Sequence, residues 1–126
     1  MAAVKSNSKN TAQVLIDLCG EEYALNSNEV TVEKVFLTVT KQANCRFVIP
    51  GNTVQFCVHV KNDSDFALDN ARFFDHLDVD ATYVDGTFTV NGSPAVPTVQ
   101  GRDISYYIPS LPPHSDTVIC FKVKII

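Results

Sequence analysis

The segment VQFCVHVK, Val54 to Lys61, alternates strictly. Val54, Phe56, Val58 and Val60 fall on one face of an extended chain, and Gln55, Cys57, His59 and Lys61 on the other. TVICFKVKI repeats the pattern, with Ile119, Phe121, Val123 and Ile125 opposite Val118, Cys120, Lys122 and Lys124. A period of two does not fit a helix, whose faces recur every 3.6 residues. It calls for strands with one face in a core. VFLTVTK, ARFFDHL, ATYVDGTFTV and DISYYI are further strand candidates. Between them IPGN, KNDSDF, VNGSP and SLPPHSD carry the Gly, Pro, Asn and Asp that turns need. No segment holds a helical period for three turns. Short strands with turn signals roughly every 8–12 residues predict an all-β sandwich or barrel.

The chain has 126 residues, which suits one domain, and its 45% hydrophobic content can fill a core. Formal net charge is −4, with charges scattered and no basic stripe, so nucleic acid is not an expected partner. No stretch is long and apolar enough to insert in a bilayer as a helix. The opening MAAVKSNSKN is polar and does not resemble a signal peptide.

Catalytic signatures are missing: there is no GxSxG, HExxH or Gly-rich phosphate loop, so no enzyme activity and no cofactor are expected. Cys19, Cys45, Cys57 and Cys120 form no CxxC pair, and His59, His76 and His114 do not fall at zinc-ligand spacings. No metal site is expected. Four cysteines allow three pairings, and spacing does not choose among them.

The segment NTAQVLIDLCGEEYALNSNEVTVEK, Asn10 to Lys34, reads as two strand-like runs flanking a polar, turn-rich stretch. It looks like the closing hairpin of a sandwich, yet it stands at the front of the sequence.

Residues 41–125 resemble a bacterial and archaeal surface-repeat family known as domain of unknown function eleven. Lys41 in LTVTK matches the opening Lys of that family. PGNTVQFCVHVKN, Pro50 to Asn62, matches its PGxxVxYxVxVxN strand, with Phe56 in place of the usual Tyr. ARFFDHL supplies the strand ending in an Asp, Asp75. ATYVDGTFTVNG matches xTYVxGSxTVNG, and SLPPHSDTVICFKVKI matches the strand introduced by LxPGES, with His114 where Gly is usual. The resemblance implies an immunoglobulin-like β-sandwich of the kind found in tandem arrays on envelope proteins. In that family two further strands of the form NTAxV…SNEVTV follow. Here they lie at the front, as Asn10–Val14 and Ser27–Val32.

Two arrangements follow from the resemblance. Residues 1–33 are a donor hairpin that completes the body, 34–126, of a neighbouring copy, or they fold back on their own body as a circular permutant. The joint Glu33-Lys34 is short and favours donation. Ala12, Val14, Ile16, Val30 and Val32 are then the donor-strand interface. The resulting expectation is a head-to-tail homopolymer, a structural filament on a cell or spore surface, like spore-appendage subunits made without a secretion signal. The competing expectation is a monomeric adhesion, spacer or ligand-binding module.

Single residues carry paired readings. Cys57 and Cys120 point away from the core by strand parity; on the implied topology their strands are neighbours, so they form a cross-strand disulfide or stay as two free thiols. Cys19 and Cys45 form a bond between subunits or stay unpaired. Lys41, Asn62 and Asp75 supply the three residue types of a Lys–Asn isopeptide bond, but Asn62 before Asp63 more simply caps a turn. Asp63, Asp65 and Asp69, and Asp75, Asp78 and Asp80, offer oxygen ligands for Ca²⁺ without EF-hand spacing; the bland reading is solvated acidic loops.

Overall fold

Strand propensity and turn chemistry account for every regular element of the chain. The structure is a computed structural model that describes residues 7–126. It is all-β and divides into two units, Met1–Val35 and Phe36–Ile126.

The first unit is a long two-stranded ribbon. Its strands are β1 (Asn7–Asn10), β2 (Gln13–Leu18), β3 (Glu21–Asn26) and β4 (Val30–Glu33). β2 pairs with β3, and β1 pairs with β4, both antiparallel. Cys19 and Gly20 make the turn, with φ of 54° and 85°. Two consecutive positive φ values are the mark of a type I′ turn, whose twist suits the strands it joins. The expected turn-rich stretch is therefore only two residues long: Glu21 to Asn26 is strand, because Tyr23 and Leu25 continue the apolar alternation.

The ribbon has one irregularity. Asn10 pairs with Val30 and Gln13 with Asn26, so residues 11–12 on one arm oppose 27–29 on the other. The second arm carries one extra residue, a β-bulge. Ser27 closes the gap: its N–H donates to Ala12 O at 2.8 Å, and its Oγ accepts from Ala12 N–H at 2.8 Å.

The second unit contains β5 (Leu37–Ala43), β6 (Thr53–Asn62), β7 (Leu68–His76), β8 (Ala81–Tyr83), β9 (Thr89–Val90), β10 (Ser93–Pro94), β11 (Thr98–Gln100), β12 (Asp103–Leu111) and β13 (Ser115–Ile125). One sheet has the order β10-β9-β13-β6-β5, with β8 also paired to β13; the other has the order β11-β12-β7. Asn91-Gly92, both at positive φ, turn β9 into β10.

The alternating residues of β6 and β13 meet the inner face of the smaller sheet. Val58, Val60, Ile119, Phe121 and Val123 share one buried cluster with Phe73, Ile104, Ile108 and Leu111. Phe121 is fully buried, and its ring centroid lies 6.3 Å from that of Phe73 across the layers. Two sheets closed over one apolar layer are consistent with a β-sandwich. On the outer face, Cys57 and Cys120 are direct cross-strand partners, with Cα atoms 4.1 Å apart, and form a disulfide.

Candidate functional site

The sandwich of the second unit is open along one side. Among the described residues β5 pairs only with β6, and β7 only with β12. The two bare edges flank a groove of about 440 Å³. Its floor is apolar: Val58 and Val60 from β6, Ala71 and Phe73 from β7, and Ile108 and Leu111 from β12. Leu37 and Val39 of β5 line it and remain 44% and 61% exposed. These are inward-facing core residues by parity, but no strand covers them. Bare edges beside exposed apolar side chains are a template for another strand.

Polar groups close one end of this groove. Lys41 Nζ lies 2.6 Å from Asp75 Oδ2, with the Asp75 side chain only 10% exposed. The ammonium also sits 4.7 Å from the centroid of the Phe56 ring, a cation–π contact. A carboxylate so nearly buried needs a cation beside it, and Lys41 provides it.

Asn62 lies at the other end. It is fully buried, and its Nδ2 donates to the carbonyls of Phe66, Leu111 and Pro112, while its Oδ1 accepts from Ser64 N–H. Every polar position of the side chain is used in fixing the 62–66 turn and the end of β12. Lys41 pairs opposite Val58, four residues along β6 from Asn62. At ~3.3 Å per residue the two are about 13 Å apart along the sheet. The structure thus brings Lys41 to Asp75 and keeps Asn62 away from both, which does not fit a Lys41–Asn62 isopeptide bond.

The hairpin has an exposed apolar surface of its own. Residues directly opposite in an antiparallel pair share a face. Val14 lies opposite Leu25, and Ile16 opposite Tyr23. Val30 and Val32 lie opposite Asn10 and Ser8. The bulge shifts parity by one, so Val30 and Val32 return to the face that holds Leu25 and Tyr23. Ala12, Val14, Ile16, Val30 and Val32 therefore lie on one face, joined by Leu18, Tyr23 and Leu25, which sequence reasoning missed. All are exposed; Val14 stands at 60% and Val32 at 62%. Correct reading of Cys19-Gly20 as a two-residue turn finds the three missed residues.

Cys19, at the hairpin tip, and Cys45, in the loop after β5, are exposed free thiols. Each histidine faces an aspartate: His59 Nδ1 to Asp116 at 3.2 Å, His76 Nδ1 to Asp103 at 2.5 Å, and His114 Nε2 to Asp65 at 2.8 Å. All three pairs are on the surface. Among the described residues no three His, Cys, Asp or Glu side chains converge as metal ligands. Asp65 and Asp75, two of the acidic-loop candidates, are engaged by His114 and Lys41.

No protein-family model, no curated protein and no solved structure matches the chain.

Proposed function

We propose that the chain is a structural subunit that polymerises head-to-tail by strand donation, each hairpin filling the groove of a neighbouring copy. One observation carries this reading: a hairpin with a largely apolar, exposed face occurs in the same chain as a groove with two bare edges and exposed core residues. A two-stranded ribbon by itself is marginal in water. Full burial of a Val, Leu or Ile side chain contributes about 1.5–3 kcal/mol, and strand addition to an open edge adds main-chain hydrogen bonds. Both surfaces gain from the same event.

In this reading the body is an incomplete immunoglobulin-like sandwich. β5, β6 and β13 take the places of strands A, B and E, and β7 that of C. Strands F and G belong beside C, along the bare edge of β7, and the hairpin supplies them. Donor and acceptor surfaces differ, so the contact is heterologous and propagates. The disulfide on the outer face accords with an oxidising, extracellular setting. We place the filament on a cell or spore surface.

The test is electron microscopy and sedimentation of the full chain beside Ile16→Asp. The native chain is expected to form filaments. The variant is expected to stay monomeric with an unchanged thermal transition for its body. Monodisperse native monomers at high concentration defeat the proposal.

A further inference from the structure

Resting on that reading, we infer the polarity of insertion: the hairpin of a second copy lies in the groove with its base at the Lys41–Asp75 end and its Cys19-Gly20 tip at the Asn62 end.

The first argument is polarity matching. Along its apolar face the hairpin is not uniform. The base half carries Ser8 and Asn10 opposite Val32 and Val30; the tip half carries Val14, Ile16, Tyr23 and Leu25 and ends in Leu18 opposite Glu21. The groove is graded in the same sense. The ion pair Lys41–Asp75 and His76 are at one end, and Leu37 and Leu111 are at the other. This placement sets small polar side chains against the nearly buried carboxylate and its lysine. It sets the apolar run Val14, Ile16, Tyr23 and Leu25 against Val39, Leu37 and Leu111. The reverse polarity drives Leu18 onto the ion pair and leaves Ser8 and Asn10 over apolar floor, where an unpaired polar group is costly.

The second argument is a patch at the Lys41 end. Loop 44–52 leaves β5 there and loop 77–80 leaves β7 there. Backbone bonds tie them to the end of β13: Gly51 N–H to Ile125 O at 2.6 Å and Ile126 N–H to Asp80 O at 2.8 Å. This end holds Phe47 at 82%, Ile49 at 75% and Val79 at 77% exposure. Residues 34–36 join the hairpin base to β5, and at the start of β5 Phe36 N–H bonds Ser64 Oγ beside Asn62. A base entering at the Lys41 end therefore carries its own body onto this patch. A base entering at the Asn62 end leaves it in water.

The third argument is symmetry. Each hairpin departs from the Asn62 end of its own body. Entry at the Lys41 end joins unlike ends, and the contact repeats without closing. Entry at the Asn62 end joins like ends, which lets two copies donate to each other in a closed two-fold pair and stops growth.

The experiment uses the full chain with Cys19→Ser and Cys45→Ser, so that only introduced thiols report. One variant adds Leu18→Cys and Leu37→Cys; the other adds Asn10→Cys and Leu37→Cys. Positions 10, 18 and 37 are exposed, so the replacements spare the core. Isotope-labelled and unlabelled copies are mixed, oxidised gently and digested, and mixed-isotope disulfide peptides are counted by mass spectrometry. The expected result is 18–37 bonds between copies, at least tenfold over 10–37 bonds between copies. Excess 10–37 bonds overturn the polarity but keep strand donation. No bond between copies in either variant overturns strand donation itself. Sedimentation of the native chain adds a readout without substitutions: a closed particle of twice the chain mass overturns the polarity.

Discussion

Lys41 reaches across the open side of the sandwich to Asp75, its Nζ 2.6 Å from a carboxylate that is almost out of water. The pair links the two bare-edged strands, β5 and β7, that no strand hydrogen bond connects. It is a polar tie across the mouth of the groove.

Lys41→Met removes the cation and leaves Asp75 uncompensated. Breaking a buried pair costs about 3–5 kcal/mol, but Lys41 is 42% exposed, and water reduces the cost to roughly 1–2 kcal/mol. Lys41→Met with Asp75→Leu is expected to recover most of the loss. Denaturant unfolding of the three chains measures it. Equal stability of the single variant and the native chain refutes the ion-pair role.

Asn62→Ala strips three carbonyls of a donor and one N–H of its acceptor in a site with no exposure. Buried groups left unpaired cost about 1–3 kcal/mol each. The expected loss is about 3 kcal/mol or more in urea unfolding, with the Asn62 end opening first in hydrogen exchange.

Reduction of Cys57–Cys120 opens a link between residues 63 apart in sequence. A native disulfide is typically worth about 2–4 kcal/mol. Thermal scans with and without reductant are expected to show a lower Tm on reduction. On the proposed reading, filaments formed beforehand are expected to persist, because the bond lies on the outer face of a single body and takes no part in strand donation.

Gly20→Val places a β-branched residue at φ 85° in the hairpin turn. No atom crowds the site, so the penalty is purely backbone strain, of order 1–3 kcal/mol. The body is expected to keep its Tm while filament growth slows, as followed by light scattering. An unchanged growth rate argues against any need for a preformed tip.

Much of this architecture is legible in the sequence because burial on one face leaves a period-two record. VQFCVHVK and TVICFKVKI give the core faces of β6 and β13, and their parity puts Cys57 and Cys120 outward. Whether those thiols meet depends on register, which no local pattern carries; the structure sets them directly opposite. Tyr23 and Leu25 were hidden by the acidic and amide residues around them, which read as turn. Lys41 and Asp75 are 34 residues apart, and only the crossing from one sheet to the other brings them together. Asn62 read correctly as a turn residue, but its reach to Leu111 and Pro112 is long-range and leaves no local trace.

The extra residue at 27–29 makes the hairpin sensitive to counting. Deleting any one of the three turns Val30 and Val32 to the opposite side of the ribbon while leaving composition, charge and hydropathy almost unchanged. Substitutions in this stretch are survivable one at a time; a change of length is not. The integrity of the apolar face thus depends on arithmetic along the chain, and a shift of one position splits it without touching a single apolar residue.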